Sequence, residues 1–148
     1  MTIATVTKAF DFCYGHRLPN VQKCLNPHGH NVRLEVSVTG AINEDGMVID
    51  FSKLKTLVEP IISKYDHAFL VNASDDDVDF LKALSKYRTI QFFSNPTAEI
   101  IAQYIIDYLV EAIAVSDCPN IYGISTRLYE TPDSWVEVQK SFGMCKMK

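Results

Sequence analysis

Residues 28–39 read HGHNVRLEVSVT, which joins a pair of histidines to a strictly alternating run of apolar and polar residues. A β-strand with this alternation buries one of its two faces. The predicted buried face consists of Val32, Leu34, Val36 and Val38. His28 and His30 share the parity of these residues, and residues i and i+2 of a strand project from the same face. Both imidazoles can therefore reach one metal ion.

A third histidine, His16, lies upstream of this pair. Three histidines that leave a fourth coordination position open form a common catalytic zinc site. A His-x-His pair also occurs by chance, and most histidines are hydrogen-bonded surface or core residues. Two features favour the metal interpretation: Gly29 allows a close approach of the backbone, and Cys24 stands just before the pair. A metal at this position would be Zn²⁺ with His16, His28 and His30 as its ligands, and at this point hydrogen-bonded structural histidines remain the alternative.

Composition restricts the class of protein. The chain has 148 residues, which suits a single domain spanning residues 1–148. Eighteen acidic and 14 basic residues give a net charge of −4 without a basic tract, so we expect no nucleic-acid or membrane partner. No apolar run reaches the ~20 residues of a membrane span, and no secretory signal is evident. We therefore expect a cytoplasmic protein with four reduced cysteines.

The hydrophobic pattern predicts an α+β protein with the order β-β-α-α-β-β, an antiparallel four-stranded sheet with two helices on one face. The first helix contains Pro60, which should kink it or end it early. The second helix should begin at Pro96 behind an N-cap at Asn95. Open sheet edges predict self-association. The predicted strands lie at about 2–12, 31–39, 121–130 and 135–139, and the first helix at about 51–64.

The spacing Cys24-x-x-x-His28-Gly29-His30 resembles the 6-pyruvoyl-tetrahydropterin synthase superfamily, and within it the 6-carboxy-tetrahydropterin synthases of queuosine biosynthesis. The four-residue offset from Cys24 to His28 favours this carboxy branch, because the pyruvoyl branch typically has a longer insertion there. Further matching segments follow in the family's order: Gly15–Leu18, Gly46–Phe51, Asp66-His67, Asn95–Glu99 and Tyr129–Pro132. The resemblance implies a tunnelling fold (T-fold), in which subunits join into a barrel and two trimers stack into a homohexamer.

The resemblance also implies catalytic roles for three residues. Without it, Cys24 would be interpreted as a small buried thiol, and Asp66-His67 as a pair at the negative end of a helix. In the family, the cysteine abstracts substrate protons, the histidine shuttles protons and the aspartate orients the histidine. A nearby metal would favour the thiolate of Cys24. The family places the cysteine and the Asp-His pair on different subunits, so the active site is expected at a subunit interface.

Glu130 and Thr131 are the predicted substrate-binding residues. A glutamate at a strand end is usually only solvated, yet one carboxylate can accept hydrogen bonds from both the 2-amino group and the ring N–H of a pterin. The Glu-Thr pair resembles the family's pterin anchor, with the Thr131 backbone available to the ring carbonyl. Thr97, Glu99 and Asp50 are interpreted as structural residues, mainly helix caps.

The implied reaction is a zinc-dependent lyase reaction. It converts 7,8-dihydroneopterin triphosphate to 6-carboxy-5,6,7,8-tetrahydropterin and releases triphosphate and acetaldehyde. The alternatives are a 6-pyruvoyl-tetrahydropterin synthase, which keeps the side chain, and a non-catalytic pterin-binding zinc protein. The chain departs from the family at Cys13 and Tyr14, where small residues are usual, and in the 72–92 segment. Cys13 has the opposite strand parity from His16, which argues against it as a fourth ligand of the same zinc.

Overall fold

The computed structural model describes residues 1–142. This part of the chain forms six strands, three α-helices and one short 3₁₀ helix at Gln22–Leu25. The strands are β1 (Ile3–His16), β2 (His28–Ala41), β3 (Ala68–Asn72), β4 (Thr89–Phe92), β5 (Ile121–Thr131) and β6 (Ser134–Ser141). The helices are α1 (Phe51–Tyr65), α2 (Val78–Leu84) and α3 (Ala98–Ala114).

All six strands form one mixed sheet in the order β4-β3-β1-β2-β5-β6. Strands β1, β2, β5 and β6 pair antiparallel, and they are the four strands that the alternating pattern predicted. Strand β3 pairs parallel with both β1 and β4. The predicted α+β class is confirmed, but the strand count and the purely antiparallel sheet were wrong.

The missed elements all lie in and around the 72–92 segment. Strands β3 and β4 have only five and four residues, and periodicity cannot identify such short runs. Helix α2 has seven residues and none of them is fully buried, so it is too short for hydrophobic periodicity to predict it.

Helices α1 and α3 cover the apolar face of the sheet. Helix α1 packs against β1 and β3, α3 packs against β5 and β6, and the two helices contact each other. They meet the predicted apolar face of β2, on which Val32, Leu34, Val36 and Val38 are all buried. Helix α1 does not end at Pro60 but continues to Tyr65, because Ile61 and Tyr65 beyond the proline are buried in the core.

The N-cap of α3 is Thr97 and not the predicted Asn95. The Thr97 side chain accepts a hydrogen bond from the backbone N–H of Ile100. Asn95 instead accepts a side-chain hydrogen bond from Asn72 at 2.9 Å. Asp50 caps α1 as predicted, since its carboxylate accepts hydrogen bonds from the first turn.

Strand β6 is an open edge of the sheet. Most of its side chains are exposed, including Trp135 at 53%. Such an edge is a surface for pairing with another strand. None of the helices within residues 1–142 is both long enough and apolar enough to cross a membrane. The thiols of Cys13, Cys24 and Cys118 are free, and Cys145 lies outside the described residues.

Candidate metal centre and catalytic residues

The register of β1 against β2 brings the three histidines together. His16 lies directly opposite His28, and Tyr14 lies opposite His30. Side chains at these positions alternate, so His16, His28 and His30 project from the same face of the two-stranded ribbon. Gly29 stands between the two histidines of β2, where a Cβ atom would come within 3.1 Å of the Tyr14 carbonyl oxygen. The close approach predicted at Gly29 is therefore present.

The three imidazoles converge through their Nε2 atoms. The Nε2 of His16 lies 3.0 Å from that of His28 and 3.2 Å from that of His30. One ligand atom from each residue lies within 4.8 Å of the other two, so the group could hold a metal ion.

Backbone carbonyl groups orient two of the three rings. The Nδ1 of His16 lies 2.8 Å from the carbonyl oxygen of Pro96, and the Nδ1 of His28 lies 2.8 Å from that of Asn26. A carbonyl oxygen only accepts hydrogen bonds, so Nδ1 carries the hydrogen and the Nε2 lone pair remains free for a metal. Burial lowers the pKa of His16, which favours the neutral ring that a metal ligand requires.

Glu130 turns its carboxylate towards the three histidines. Its Oε1 atom accepts a hydrogen bond of 2.7 Å from the Tyr14 hydroxyl and lies 3.9 Å from the Nε2 atoms of both His16 and His30. Burial of the Tyr14 ring, followed by the charge of Glu130, raises the pKa of Tyr14. The phenol therefore stays protonated and acts as a donor to the carboxylate.

A cavity of about 310 Å³ opens beside the histidines. Cys24, in the 3₁₀ helix, lines this cavity together with Glu130. The wall also contains Thr97, Glu99 and Trp135, which were not predicted as site residues. Thr97 and Glu99 belong to the beginning of α3, so they have a place in the cavity wall in addition to the capping role that was predicted for them.

Asp66 and His67 lie elsewhere in the chain, at the other face of β1. The backbone N–H of Cys13 donates to Asp66 Oδ1 at 3.0 Å, and Cys13 has the opposite strand parity from His16. His67 Nδ1 lies 3.0 Å from Asp66 Oδ2. The hydrogen bond from the Cys13 N–H, and then His67, lower the pKa of Asp66, so this carboxyl is held in its charged form.

His67 combines exposure with an unusual backbone conformation. Its side chain is 78% exposed and its φ of 58° lies in the left-handed region, which non-glycine residues rarely adopt. Such outliers concentrate at functional sites. His67 and Asp66 line a cleft of about 760 Å³ that also contains Thr131.

The predicted site residues therefore fall into two groups within one chain. The first contains the three histidines, Cys24 and Glu130 around the smaller cavity. The second contains Asp66, His67 and Thr131 around the larger cleft. The structure of a single chain does not bring Cys24 and the Asp-His pair into one cavity. This separation is what an active site shared between subunits requires, and that sharing stays a prediction.

Comparisons with known proteins identify the family of this chain. The family model described as 6-pyruvoyl tetrahydropterin synthase matches residues 5–141. A 6-carboxy-5,6,7,8-tetrahydropterin synthase of Haemophilus influenzae is 34% identical, over 91% of this chain and 98% of the relative. One with the same name from Rickettsia conorii is 32% identical, over 89% of this chain and 97% of the relative.

Solved structures show the same fold. A 6-pyruvoyl tetrahydropterin synthase of Plasmodium falciparum has a TM-score of 0.80 at 25% identity, covering 96% of this chain and all (100%) of that one. The Caenorhabditis elegans 6-pyruvoyl tetrahydropterin synthase has a TM-score of 0.69 at 27% identity, covering 95% and 98%. The predicted T-fold is confirmed for the chain. The chain belongs to the 6-pyruvoyl tetrahydropterin synthase family.

Proposed function

We propose that the protein is a 6-carboxy-tetrahydropterin synthase. It would convert 7,8-dihydroneopterin triphosphate and water to 6-carboxy-5,6,7,8-tetrahydropterin with release of acetaldehyde and triphosphate. The observation that carries the proposal is the joint position of Cys24, Glu130 and three convergent histidines around one cavity. Relatives that carry this enzyme name over nine-tenths of the chain support a lyase of this kind.

The donor set fits zinc. Imidazole nitrogens suit Zn²⁺, and three of them leave a coordination position for a substrate oxygen. His16, His28 and His30 would hold the ion, and the Pro96 and Asn26 carbonyl groups keep the His16 and His28 rings in the required tautomer. A bound zinc ion supplies Lewis-acid polarisation of a substrate hydroxyl or carbonyl group.

The other proposed residues move protons or hold the pterin ring. Cys24 removes a proton from the substrate side chain beside the three histidines, as a positioned thiolate can. His67 relays protons, because one of its ring nitrogens is paired with Asp66 and the exposed remainder of the ring faces the cleft. Asp66 orients His67. Glu130 accepts hydrogen bonds from the pterin, and the Thr131 backbone contacts the ring carbonyl.

A product assay on the zinc-loaded protein tests the proposal. We expect equimolar 6-carboxy-tetrahydropterin, triphosphate and acetaldehyde from dihydroneopterin triphosphate. Mass spectrometry identifies the pterin product, and an aldehyde-trapping reaction measures the acetaldehyde. A 6-pyruvoyl product without acetaldehyde would assign the protein to the activity named for its structural relatives. Tight pterin binding without any product would instead identify a non-catalytic pterin-binding zinc protein.

We also propose that the active sites lie between subunits of a homohexamer. The separation of Cys24 from Asp66 and His67 in one chain supports this arrangement. Mixed refolding of an inactive Cys24→Ala chain with an inactive His67→Ala chain should restore about one quarter of wild-type activity, because random mixing completes about one site in four. Activity that stays at the level of the separate variants would show that each chain supplies its whole site. The cytoplasmic location stays a prediction of the sequence.

A further inference from the structure

We propose that Cys13, Asp66 and His67 form a second metal site, separate from the three histidines, that takes a thiophilic divalent ion such as Zn²⁺ or Cd²⁺. One ligand atom from each of these residues lies within 4.8 Å of the other two. When an ion is bound at this site, Asp66 and His67 are its ligands and cannot take part in proton transfer. The ion is therefore expected to inhibit the enzyme, a consequence that rests on the function proposed above.

The distances between the donors suit a tetrahedral ion. Cys13 Sγ lies 3.7 Å from Asp66 Oδ1, and Asp66 Oδ2 lies 3.0 Å from His67 Nδ1. Zinc bonds of about 2.3 Å to sulfur and about 2.0–2.2 Å to nitrogen or oxygen place neighbouring tetrahedral ligands about 3.3–3.7 Å apart. The two distances end at different oxygens of Asp66, so a rotation of this carboxylate, or binding through both of its oxygens, is needed to bring the three donors to one ion.

The backbone fixes the three residues before any ion arrives. Cys13 donates its N–H to the Asp66 carboxylate and accepts the N–H of His67 at its carbonyl oxygen, at 3.0 and 2.8 Å. The parallel register of β1 and β3 begins one residue later, where Tyr14 lies opposite Ala68. A preorganised set of donor residues loses little conformational entropy when it binds an ion.

The chemistry of the cluster favours a metal ligand over a nucleophilic thiol. The thiol of Cys13 is hydrogen-bonded to the carboxylate of Asp66 and not to the imidazole. The thiol therefore lacks the hydrogen bond to an imidazole base that activates a cysteine nucleophile. A divalent cation that binds here displaces the thiol proton and balances the negative charges of sulfur and carboxylate. Thiolate ligands select soft ions such as Zn²⁺ among the divalent metals.

The position of the cluster allows an ion to enter. His67 is 78% exposed, and the cluster lines the cleft of about 760 Å³. Three protein ligands leave a fourth position for water, as in exchangeable metal sites. Within one chain, the three-histidine group lies at the other face of β1, so the two clusters have no ligand in common.

Cd²⁺ is the probe for this site, because its bond to a thiolate gives a charge-transfer absorption in the ultraviolet. Zinc-loaded wild-type protein is titrated with Cd²⁺, and bound metal is counted per chain by equilibrium dialysis. We expect one further ion with the thiolate absorption. Cys13→Ser keeps a hydrogen-bond donor to Asp66 but replaces the soft sulfur by a hydroxyl oxygen. In this variant the second ion should bind about 10–100-fold more weakly, and the thiolate absorption should be absent.

Two matched variants control for other thiols. Cys24→Ala removes the thiol near the three histidines, and Cys118→Ser removes a partly buried thiol outside both sites. Each should keep the second ion and its absorption. Cd²⁺ binding that is unchanged in Cys13→Ser, or absent from the wild-type protein beyond the first ion, would overturn the site.

The inhibitory consequence has its own measurement. Turnover of the wild-type enzyme should fall as the second ion binds, and turnover of Cys13→Ser should resist the same Cd²⁺ concentrations. A second ion bound without any loss of turnover would overturn the inhibition and the catalytic assignment of Asp66 and His67. The dialysis result does not depend on the reaction, so failure of the proposed activity and failure of this site are distinguishable.

Discussion

The hydroxyl of Tyr14 donates a hydrogen bond of 2.7 Å to Oε1 of Glu130, whose carboxylate faces the three convergent histidines. The Tyr14 ring also packs edge-on against the rings of His16 and His30, with centroids 5.3 and 6.0 Å apart. One buried side chain, 2% exposed, therefore supports both the candidate metal ligands and the candidate pterin anchor.

Tyr14→Phe tests whether the hydroxyl positions Glu130. The variant keeps the ring that packs against the histidines, so metal content should not change. It removes a hydrogen bond to a charged group, worth about 1.5–3 kcal/mol, and leaves the carboxylate to be ordered when the pterin binds. Pterin affinity measured by calorimetry should fall about tenfold or more.

The control for this variant is Tyr65→Phe. Tyr65 is also buried, and burial raises its pKa to about 12, but it packs against Phe92 in the core. Its hydroxyl can be removed without touching the candidate site, and pterin affinity should stay at the wild-type value. Equal affinities in Tyr14→Phe and the wild-type protein would remove Tyr14 from the binding site.

His28→Ala tests the metal ligands. The wild-type protein should hold one tightly bound zinc ion per chain at the three histidines, and the variant should lose most of this zinc and all turnover. Metal content is measured by elemental analysis after dialysis that removes weakly held ions. Full zinc occupancy in His28→Ala would reject this histidine as a ligand.

The cluster of three histidines was predictable in part, because its geometry follows from strand parity. His28 and His30 share the parity of the buried residues of β2, and this alternation is visible in one continuous segment. The position of His16 beside this pair depends on the register of β1 against β2, which places His16 opposite His28. The sequence showed only that His16 lies upstream of the pair, and periodicity alone does not give the register of β1 against β2.

The contacts across the sheet were not predictable in the same way. Tyr14 and Glu130 are 116 positions apart, and no local pattern indicates that their side chains meet. The short strands β3 and β4 were missed for a related reason, since parallel pairing depends on partners distant in the sequence. Tyr14 shares the parity of His16 and departs from the family pattern, and these two features together were the available indication of its role.

Asp75→Asn tests an ion pair that joins the end of β1 to the segment before α2. Arg17 donates two hydrogen bonds to Asp75, at 2.9 and 3.0 Å, and the Asp75 side chain is fully buried. The variant leaves the Arg17 charge buried without its partner. The free energy of unfolding at neutral pH should fall by about 3 kcal/mol, measured by urea denaturation.

The same ion pair predicts a pH dependence. The hydrogen bonds from Arg17 lower the pKa of Asp75 in the folded protein below its unfolded value. The folded state thus binds fewer protons, and this stabilisation is present above the unfolded pKa of about 3.9 and is lost as the pH falls through the folded pKa. The stability difference between wild type and Asp75→Asn should shrink over that acidic range.

Asp76→Asn is the matched control for the ion pair. Asp76 also contacts Arg17, at 3.4 Å, but its side chain is 89% exposed. Exposed pairs contribute about 0–1 kcal/mol, so this variant should stay close to the wild-type stability. Equal losses in the two variants would contradict the importance of the buried pair.

Cys24→Ala separates a catalytic thiol from a metal ligand and from a packing residue. Cys24 lines the cavity beside the histidines, and Ala occupies its space without a proton acceptor. The variant should keep its zinc, its oligomer size and its pterin affinity. Turnover should fall about 10²–10⁴-fold, which is the usual contribution of a positioned acid or base.

The other two roles of Cys24 predict different losses. A metal ligand would show itself by a loss of zinc from Cys24→Ala, measured by elemental analysis. If Cys24 were mainly a packing residue, Cys24→Ala would lower the melting temperature and leave turnover largely intact. We do not expect this result, because Cys24 is half-buried and lies outside the hydrophobic core. Near-wild-type turnover in Cys24→Ala would refute proton abstraction by this residue, because no group in an alanine side chain can accept the proton.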